Sequence, residues 1–188
     1  MCRGTTGILG VRLSQTTIRS ARDEDLAAIQ AIYAHHVTTG TGSFELEAPG
    51  LAEMSRRLAD VRGNGLPWLV AEQDGRVTGY AYANLYRSRP AYRFTVEDSI
   101  YLAADAIGRG TGRRLLTALI DECERAGCRQ MVAVIGDSAN TASISLHARL
   151  GFRFSGVVRS CGWKFDRWLD TVLMQRELGA GERTSPED

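Results

Sequence analysis

The sequence lacks the cysteine patterns that would define a metal site or a disulfide framework. Cys2, Cys123, Cys128 and Cys161 form no CxxC pair, and no histidine lies at ligand spacing from any of them. We therefore predict no metal, and we predict cysteines that stay reduced in a cytoplasmic protein.

An excess of charge of either sign is also missing. The chain has 23 Lys and Arg residues against 22 Asp and Glu residues, a formal net charge of +1. Such a balance gives no general attraction to nucleic acid or to an anionic membrane, so we predict neither partner. The apolar runs are too short to span a bilayer, and Arg12 interrupts the stretch that would have to form the core of a signal peptide. The predicted partner is a small molecule.

The composition is that of an ordinary globular protein. With 188 residues, 44% of them hydrophobic and 24% charged, the chain is long enough to bury one core. We predict a disordered leader at 1–16, a single domain at 17–178 and a disordered tail at 179–188. Walker A and G-x-G-x-x-G spacings and internal repeats are absent, which argues against a dinucleotide-binding domain.

The stretch from Thr95 to Gly127 carries the strongest pattern. Alternation predicts a strand from Thr95 to Ala104, with Val96, Ile100 and Leu102 on one face and Glu97, Ser99 and Tyr101 on the other. Helical spacing then predicts an amphipathic helix that ends at Gly127 and whose apolar face is Leu115, Leu116, Leu119, Ile120 and Cys123.

A glycine-rich segment, IGRGTGRR, separates this strand from this helix. Gly108, Gly110 and Gly112 allow a tight turn that directs successive N–H groups at the helix start, where phosphate oxygens bind. The alternative is a plain connecting loop. Three arginines near the helix start favour the anion-binding interpretation: Arg109, Arg113 and Arg114. Their guanidinium groups repel one another unless they are solvated or face an anion.

The remaining elements follow from shorter signals. A strand at Ile18 precedes a helix capped by Asp23, and a second helix covers Leu51 to Val61. A hairpin turns at Asp74-Gly75. A buried strand from Arg129 to Gly136 leads to a helix capped by Asp137, Ser138 or Asn140 and stopped by Gly151, and two last strands turn near Phe165 to Arg167.

Two polar segments leave two interpretations open. Phe44 either anchors its loop on the core or forms a wall of a substrate pocket. The segment RSRPAYRF, which contains Arg87, Arg89 and Tyr92, either binds a carboxylate or phosphinate group or is a solvated face. His35 and His36 end a helix, and no chemistry is assigned to them.

The order of these elements and the segment LHARLGF resemble the GNAT superfamily of acyl-CoA N-acyltransferases. The resemblance implies an α/β fold of the α+β type: a central mixed, mostly antiparallel twisted sheet with helices on both faces and a splayed pair of strands holding acyl-CoA. The superfamily's phosphate loop, Q/R-x-x-G-x-G/A, is matched from Ile107 to Gly112, except that Ile107 replaces the usual Gln or Arg.

A closer resemblance is to phosphinothricin, methionine sulfoximine and other amino-acid N-acetyltransferases. Four segments carry it: PWLVAEQDGRVTGYAYA, RSRPAYRFTVEDSIYL, MVAVIGDSANTASISLHARLGF and GWKFDRWLDTVLMQREL. It implies a homodimer, catalytic roles for Glu97 and His147, and a substrate pocket formed by Phe44, Arg87, Arg89 and Tyr92.

The resemblance also implies how acetyl-CoA binds. Its pyrophosphate would lie on Ile107, Gly108, Arg109, Gly110, Thr111, Gly112 and Arg113. Its pantetheine arm would lie along Tyr101, Leu102, Ala103 and Ala104, with a backbone N–H polarising the thioester carbonyl. Asn140 would contact the pantetheine or the thiol end, although at a helix start it is equally explained as a cap, and Ser143 is a further predicted cofactor-binding residue.

The two catalytic candidates each have a structural alternative. Glu97 would take a proton from the substrate ammonium directly or through water, or is a strand-end carboxylate paired with an arginine. His147 lies one helical turn from Ile144 and Leu150 and therefore faces inward or along the domain rather than freely into solvent. It is a core histidine, or it protonates the departing thiolate or shares the base role.

We therefore predict an acetyl-CoA-dependent N-acetyltransferase that acylates the α-amino group of a small amino acid or analogue. The analogues implied are of the phosphinothricin, methionine sulfoximine or methionine sulfone type. One alternative is a protein or peptide N-acetyltransferase of the same fold, and the other is a non-catalytic acyl-CoA-binding module.

Overall fold

A seven-stranded sheet with strand order β1-β2-β3-β4-β5-β7-β6 forms the centre of the molecule, in a computed structural model that describes residues 16–186. The strands are β1 Thr17–Ser20, β2 Trp68–Gln73, β3 Arg76–Leu85, β4 Thr95–Leu102, β5 Gln130–Gly136, β6 Arg153–Lys164 and β7 Arg167–Glu177. The helices are α1 Leu26–Thr39, α2 Leu51–Gly63, α3 Thr111–Arg125 and α4 Thr141–Arg149. Within residues 16–186, no helix has the length and apolar character needed to cross a membrane. The first fifteen residues of the predicted leader lie outside the described part.

The pairing of β4 with β5 sets this sheet apart. These two strands are parallel, whereas the other neighbouring strands are antiparallel. They pair only from Thr95 to Asp98 on β4 and from Gln130 to Ala133 on β5. Beyond Asp98 and Ala133, β4 continues to Leu102 and β5 to Gly136 without pairing, so the sheet opens into a gap. We call the end of the gap at which the two strands still pair its vertex. The predicted mixed sheet with a splayed strand pair is confirmed.

The two faces of the sheet are covered by different helices. Tyr101 of β4 packs against Tyr33 of α1, with ring centroids 4.9 Å apart. A Cβ at Gly79 of β3 would instead meet Leu102 of β4 and Leu115 of α3. Because successive residues of a strand point to opposite faces, α1 lies on the face of Tyr101 and α3 on the face of Leu102. We call these the α1 face and the α3 face.

Turn chemistry explains how the elements end. Asp74 and Gly75 both have positive φ angles, 52° and 76°, which is the backbone of a tight hairpin turn and confirms the predicted one. Gly127, at φ 82°, ends α3 as predicted. Its N–H donates to the carbonyl of Glu124, and the N–H of Cys128 donates to the carbonyl of Cys123. The thiols of Cys123 and Cys128 are both buried.

The predicted start of α1 is wrong. Asp23–Asp25 form a single 3-10 turn, and the α-helix begins only at Leu26. Asp23 does not cap the helix because its carboxylate pairs with Arg62 on α2. The buried carboxylate is Asp25, which accepts from the Arg19 guanidinium and from the Arg22 N–H, and these bonds lower its pKa.

Candidate active site

The glycine turn before α3 has the geometry of an anion-binding site. Gly108 and Gly110 have φ angles of 77° and 81°, so a left-handed backbone is required at both positions. No side chain caps the helix, and the first helical bond described is that from the Arg114 N–H to the Gly110 carbonyl. The N–H groups of α3's first turn are therefore left for another acceptor. Within the described residues, a Cβ at either glycine would meet no atom within 4 Å, so both glycines border open space.

Gly112 has a different role from the one assigned from sequence. It lies inside α3, and a Cβ there would lie 3.4 Å from side-chain atoms of Leu102 on β4 and of Leu146 on α4. Its small size therefore allows α3 to approach the sheet and α4 closely. Position 112 needs a small residue because these elements approach it closely. Its backbone does not require glycine, since its φ is not positive.

The basic side chains around the turn separate into two groups. Arg109 and Arg113 are exposed. Arg114 instead donates to the carbonyl of Thr16, so its guanidinium is turned away. Ile107 is 60% exposed and offers no polar group. Arg109 and Arg113 are thus the guanidinium groups available for the predicted anion at this turn.

Hydrogen-bond alternation along β4 identifies the backbone groups that face the gap. The Tyr86 N–H donates to the Thr95 carbonyl and the Ala103 N–H donates to the Thr78 carbonyl, so odd-numbered residues of β4 bond to β3. The backbone groups of Ile100 and Leu102 therefore point the other way, to where β5 has separated. Of the predicted pantetheine contacts from Tyr101 to Ala104, the backbone of Leu102 is the one that faces the gap.

Asn140 confirms its predicted capping role at the start of α4. Its side-chain oxygen accepts from the Ser143 N–H at 3.2 Å. Its amide nitrogen lies 3.8 Å from where a Cβ at Gly42 would be, so this helix start also touches the loop between α1 and α2. The predicted contacts of Asn140 and Ser143 with coenzyme A stay predictions.

Glu97 lies on the α1 face at the vertex of the gap, where β4 pairs with Val132 of β5. Its carboxyl group is half-buried, and no hydrogen bond occupies it within the described residues. Burial raises its pKa, the negative charge of Asp98 raises it further, and the positive charge of Arg87 opposes both. The pair-with-arginine alternative is thus reduced to a long-range interaction, and the carboxylate remains able to accept a proton.

His147 lies on the other side of the sheet, on the α3 face. Its Nε2 is 3.0 Å from a carboxylate oxygen of Asp98, and its Nδ1 is 2.8 Å from the carbonyl oxygen of Ser143. Both partners are acceptors, so these two contacts favour a ring protonated on both nitrogens, and the Ser143 hydroxyl, 3.4 Å from Nδ1, is a further group that can donate or accept there. Burial alone would lower the pKa of His147, but the hydrogen bond and the charge of Asp98 raise it. The inward orientation predicted from sequence is confirmed, because only 2% of His147 is exposed.

Asp98 was missed by the sequence reasoning. It shares the α3 face with Val96 and Ile100, where a charged side chain is buried and needs a partner. That position in the alternating pattern was the signal that could have identified it. One of its oxygens is bonded to His147, and the other is buried with no hydrogen-bond partner.

The loop that carries Phe44 is held firmly on the α1 face. A Cβ at Gly136 of β5 or at Gly162 of β6 would come within 2.9 Å or 2.4 Å of the Phe44 ring, so the ring fills a cradle formed by two glycines. The preceding residue, Ser43, is bonded through its carbonyl to the buried Lys164 amine at 2.7 Å and through its hydroxyl to Tyr33. Phe44 therefore anchors its loop, and its role as a pocket wall stays a prediction.

Arg87 lies close enough to Glu97 to affect its pKa, whereas Phe44 lies further along the gap. The Arg87 guanidinium stacks over the Tyr86 ring at 4.1 Å, and that ring is 5.9 Å from Tyr92. Tyr92 ends a 3-10 turn, Pro90–Tyr92. Arg89 immediately precedes this turn and is exposed. Gly136, beneath Phe44, lies four residues beyond Val132 on β5. That separation is about 13 Å along a strand.

Two depressions on the surface of the described chain lie away from the gap. Surface depressions of about 330 and 310 Å³ lie elsewhere on the described chain, one beside Arg153 and Arg176 and the other beside Arg93 and Cys128. Residues 16–186 contain no cluster of three or more His, Cys, Asp or Glu side chains that could hold a metal ion.

A sheet opened between two parallel strands, an uncapped glycine turn at its far end and a half-buried carboxyl group at its vertex together suit an acyltransferase. Residues 18–173 match the acetyltransferase (GNAT) domain family. The chain belongs to this family and is an N-acetyltransferase, and the family and fold predicted from its motifs are confirmed.

Three proteins that resemble this chain over nearly its whole length are acyltransferases named for phosphinothricin or amino-acid substrates. The phosphinothricin N-acetyltransferase of Alcaligenes faecalis is 59% identical over 95% of this chain and 92% of its own length. The L-amino acid N-acyltransferase MnaT of Escherichia coli strain K12 is 41% identical, with coverages of 91% and 98%. The phosphinothricin acetyltransferase of Sinorhizobium meliloti, solved in complex with AcCoA, superposes with a TM-score of 0.90 at 46% identity, covering 92% of this chain and 94% of that one.

Proposed function

We propose that this enzyme acetylates the α-amino group of a small amino acid or analogue, of the phosphinothricin, methionine sulfoximine or methionine sulfone type, with acetyl-CoA as donor and Glu97 as general base. The observation that carries the proposal is the half-buried Glu97 carboxylate at the vertex of the gap, with its pKa raised and Arg87 close by. Relatives at 59% and 41% identity with phosphinothricin and amino-acid acyltransferase activities support the substrate class.

The residues present fit coenzyme A. The open, uncapped turn at Gly108 and Gly110 would hold the pyrophosphate, with Arg109 and Arg113 supplying charge. The Leu102 backbone in the gap would hold the pantetheine arm. When bound, acetyl-CoA supplies a thioester carbonyl that an amine can attack. A backbone N–H in the gap would polarise that carbonyl, so no side chain is needed for this task.

Glu97 converts the substrate ammonium into a nucleophilic amine by accepting a proton. Its raised pKa brings it closer to that of a useful base at neutral pH, and the gap beside it gives the amine access to the donor. Proton delivery by His147 to the leaving thiol would require its imidazolium to leave Asp98 or the Ser143 carbonyl. The geometry better supports a role in joining β4 to α4.

The substrate class is tested by a CoA-release screen. We expect turnover with phosphinothricin, methionine sulfoximine and methionine sulfone, and little turnover with peptides. We expect Arg87→Gln to raise KM for the anionic substrate about tenfold or more with little change in kcat. The variant loses a charge-assisted hydrogen bond to the substrate that is equally strong in the ground state and in the transition state. Arg22→Gln, which removes an exposed guanidinium paired with Glu24, is the matched control.

Each other outcome of that screen selects a different function. Turnover confined to peptides would replace the proposal with a protein or peptide N-acetyltransferase. CoA binding with no turnover of any amine would make the chain an acyl-CoA-binding module. Equal KM values for Arg87→Gln and Arg22→Gln would remove Arg87 from the substrate site.

The same proposal includes a homodimer. β6 is the edge strand of the sheet and is exposed over nearly its whole length. Six of the twelve exposed large apolar residues in the described chain belong to the β6–β7 hairpin, an arrangement typical of a surface that a second subunit covers: Phe154, Val157, Val158, Trp163, Phe165 and Trp168. Phe154 and Val157 lie on the α3 face, whereas Val158 lies on the α1 face with the exposed Val134, which is two residues along β5 from Val132 beside Glu97. A partner subunit that covers Val158 and Val134 would close the substrate side of the gap.

The dimer is tested by sedimentation. We expect the wild type to sediment at twice the 20.6 kDa mass of the chain. Val158→Glu, which places a charge on the edge strand, should shift the protein toward the monomer and raise KM for the amine. Leu46→Glu, at another exposed apolar position, should leave the mass unchanged. A monomeric wild type at assay concentration would contradict the proposal.

A cytoplasmic location accompanies the proposal. Cys123, Cys128 and Cys161 are all free thiols in the described chain, and buried free thiols suit a reducing compartment in which acetyl-CoA is made.

A further inference from the structure

His36, to which no chemistry was assigned from its position in the sequence, contacts the edge of the gap. It lies in the last turn of α1, and its Nε2 is 2.8 Å from the carbonyl oxygen of Leu102. A carbonyl only accepts, so Nε2 carries the proton and donates it. The imidazole also packs against the Tyr101 ring, with centroids 5.4 Å apart, which fixes its orientation.

The bonded carbonyl is one that the fold would otherwise leave without a strand partner. Leu102 directs its backbone groups away from β3, toward the side on which β5 has already separated. In a continuous parallel sheet an N–H of the next strand would donate to this carbonyl. Here pairing with β5 ends at Asp98 and Ala133, four residues earlier, and a side chain from α1 donates instead.

We propose that His36 is a positioning residue for the acyl donor: it takes the place of β5 at Leu102 and holds the edge of β4 that faces the gap. By fixing the Leu102 carbonyl it orders the adjoining peptide groups, including the Leu102 N–H that points into the gap. The carbonyl retains a second lone pair for an amide N–H of the pantetheine arm. This inference rests on the proposed binding of acetyl-CoA along β4.

The hydrogen bond makes three variants informative. His36→Phe keeps an aromatic ring against Tyr101 but removes the donor, whereas His36→Gln keeps a donor. His35→Phe is the matched control, because His35 is the exposed neighbour on the same turn and its ring bonds no strand in the described chain. His36→Leu is the second donor-free variant, for use if the phenylalanine ring does not fit.

The readout is the dissociation constant of CoA, measured by isothermal titration calorimetry on variants with the wild-type melting temperature. We expect His36→Phe to weaken CoA about three- to tenfold, the loss of one hydrogen bond, and His36→Gln to stay within about twofold of wild type. KM for acetyl-CoA should rise with it while KM for the amine does not. Hydrogen exchange at the Ala103 amide, which shares its peptide group with the Leu102 carbonyl and donates to the Thr78 carbonyl, should accelerate in His36→Phe and not in His35→Phe.

The outcomes separate this inference from the function on which it rests. A wild type that does not bind CoA would remove the proposed function and the inference together. A wild type that binds CoA, with the same affinity in His36→Phe and His36→Leu, would overturn the inference alone. Equal losses in His36→Gln and His36→Phe, or in His35→Phe, would also overturn it, because the donor would then not be the cause.

Discussion

Glu97→Gln is expected to lower kcat by about 10²- to 10⁴-fold, the usual contribution of a general base. Glutamine preserves the shape of the side chain on β4 but cannot accept the ammonium proton. The glycine turn and the Leu102 backbone are untouched, so the dissociation constant of CoA should stay within about twofold of wild type. A stopped-time CoA-release assay and calorimetric titration of CoA on the same preparation measure the two quantities.

The pH profile gives this prediction a second readout. A base works when deprotonated, so kcat/KM of the wild type should rise with pH through the pKa of Glu97, which burial and Asp98 place above the ordinary value of 4.5. The limb should be missing in Glu97→Gln. Glu24→Gln, which removes an exposed carboxylate, should keep both the rate and the limb. A Gln variant whose kcat is unchanged across neutral pH would remove Glu97 from the mechanism.

The strand β4 marks how far sequence reasoning reaches into this site. Alternation of apolar and polar residues is a local property. It is sufficient to place Glu97 and Val96 on opposite faces of the strand and to predict the end of the strand to within two residues of Leu102. The partner of Asp98 is His147, 49 positions away, and no local pattern encodes such a distance. The glutamate was therefore predictable, whereas the ion pair behind it was not.

The glycine turn divides in the same way. Positive φ angles at Gly108 and Gly110 follow from the need to turn between a strand and a helix, which the sequence displays. Gly112 is small because Leu102 and Leu146 approach it, and Arg114 turns away because Thr16 lies nearby. His36 acquires its contact because the gap leaves the Leu102 carbonyl open. These three features depend on how elements pack, and the order of residues along the chain does not contain that information.

His147→Leu is expected to reduce the free energy of unfolding by about 3–5 kcal/mol, because it leaves the buried Asp98 carboxylate without its partner. One Asp98 oxygen already lacks a hydrogen bond, so losing the other would leave the whole group unsatisfied. Asp98→Asn combined with His147→Leu removes the charge as well and should recover part of the loss. Urea unfolding of the two single variants and the double variant completes the cycle.

The dependence of this loss on pH distinguishes the ion pair from simple packing. Because Asp98 raises the pKa of His147 in the folded protein, the pair contributes its full stability below the unfolded pKa of about 6.5 and loses it as pH rises through the higher folded value. The difference in the free energy of unfolding between wild type and the double variant should therefore be larger at acidic than at alkaline pH. A folded His147→Leu enzyme that retains most of its kcat would assign His147 to holding β4 against α4. A variant as stable as wild type that has lost turnover would instead make the imidazolium a proton donor in the reaction.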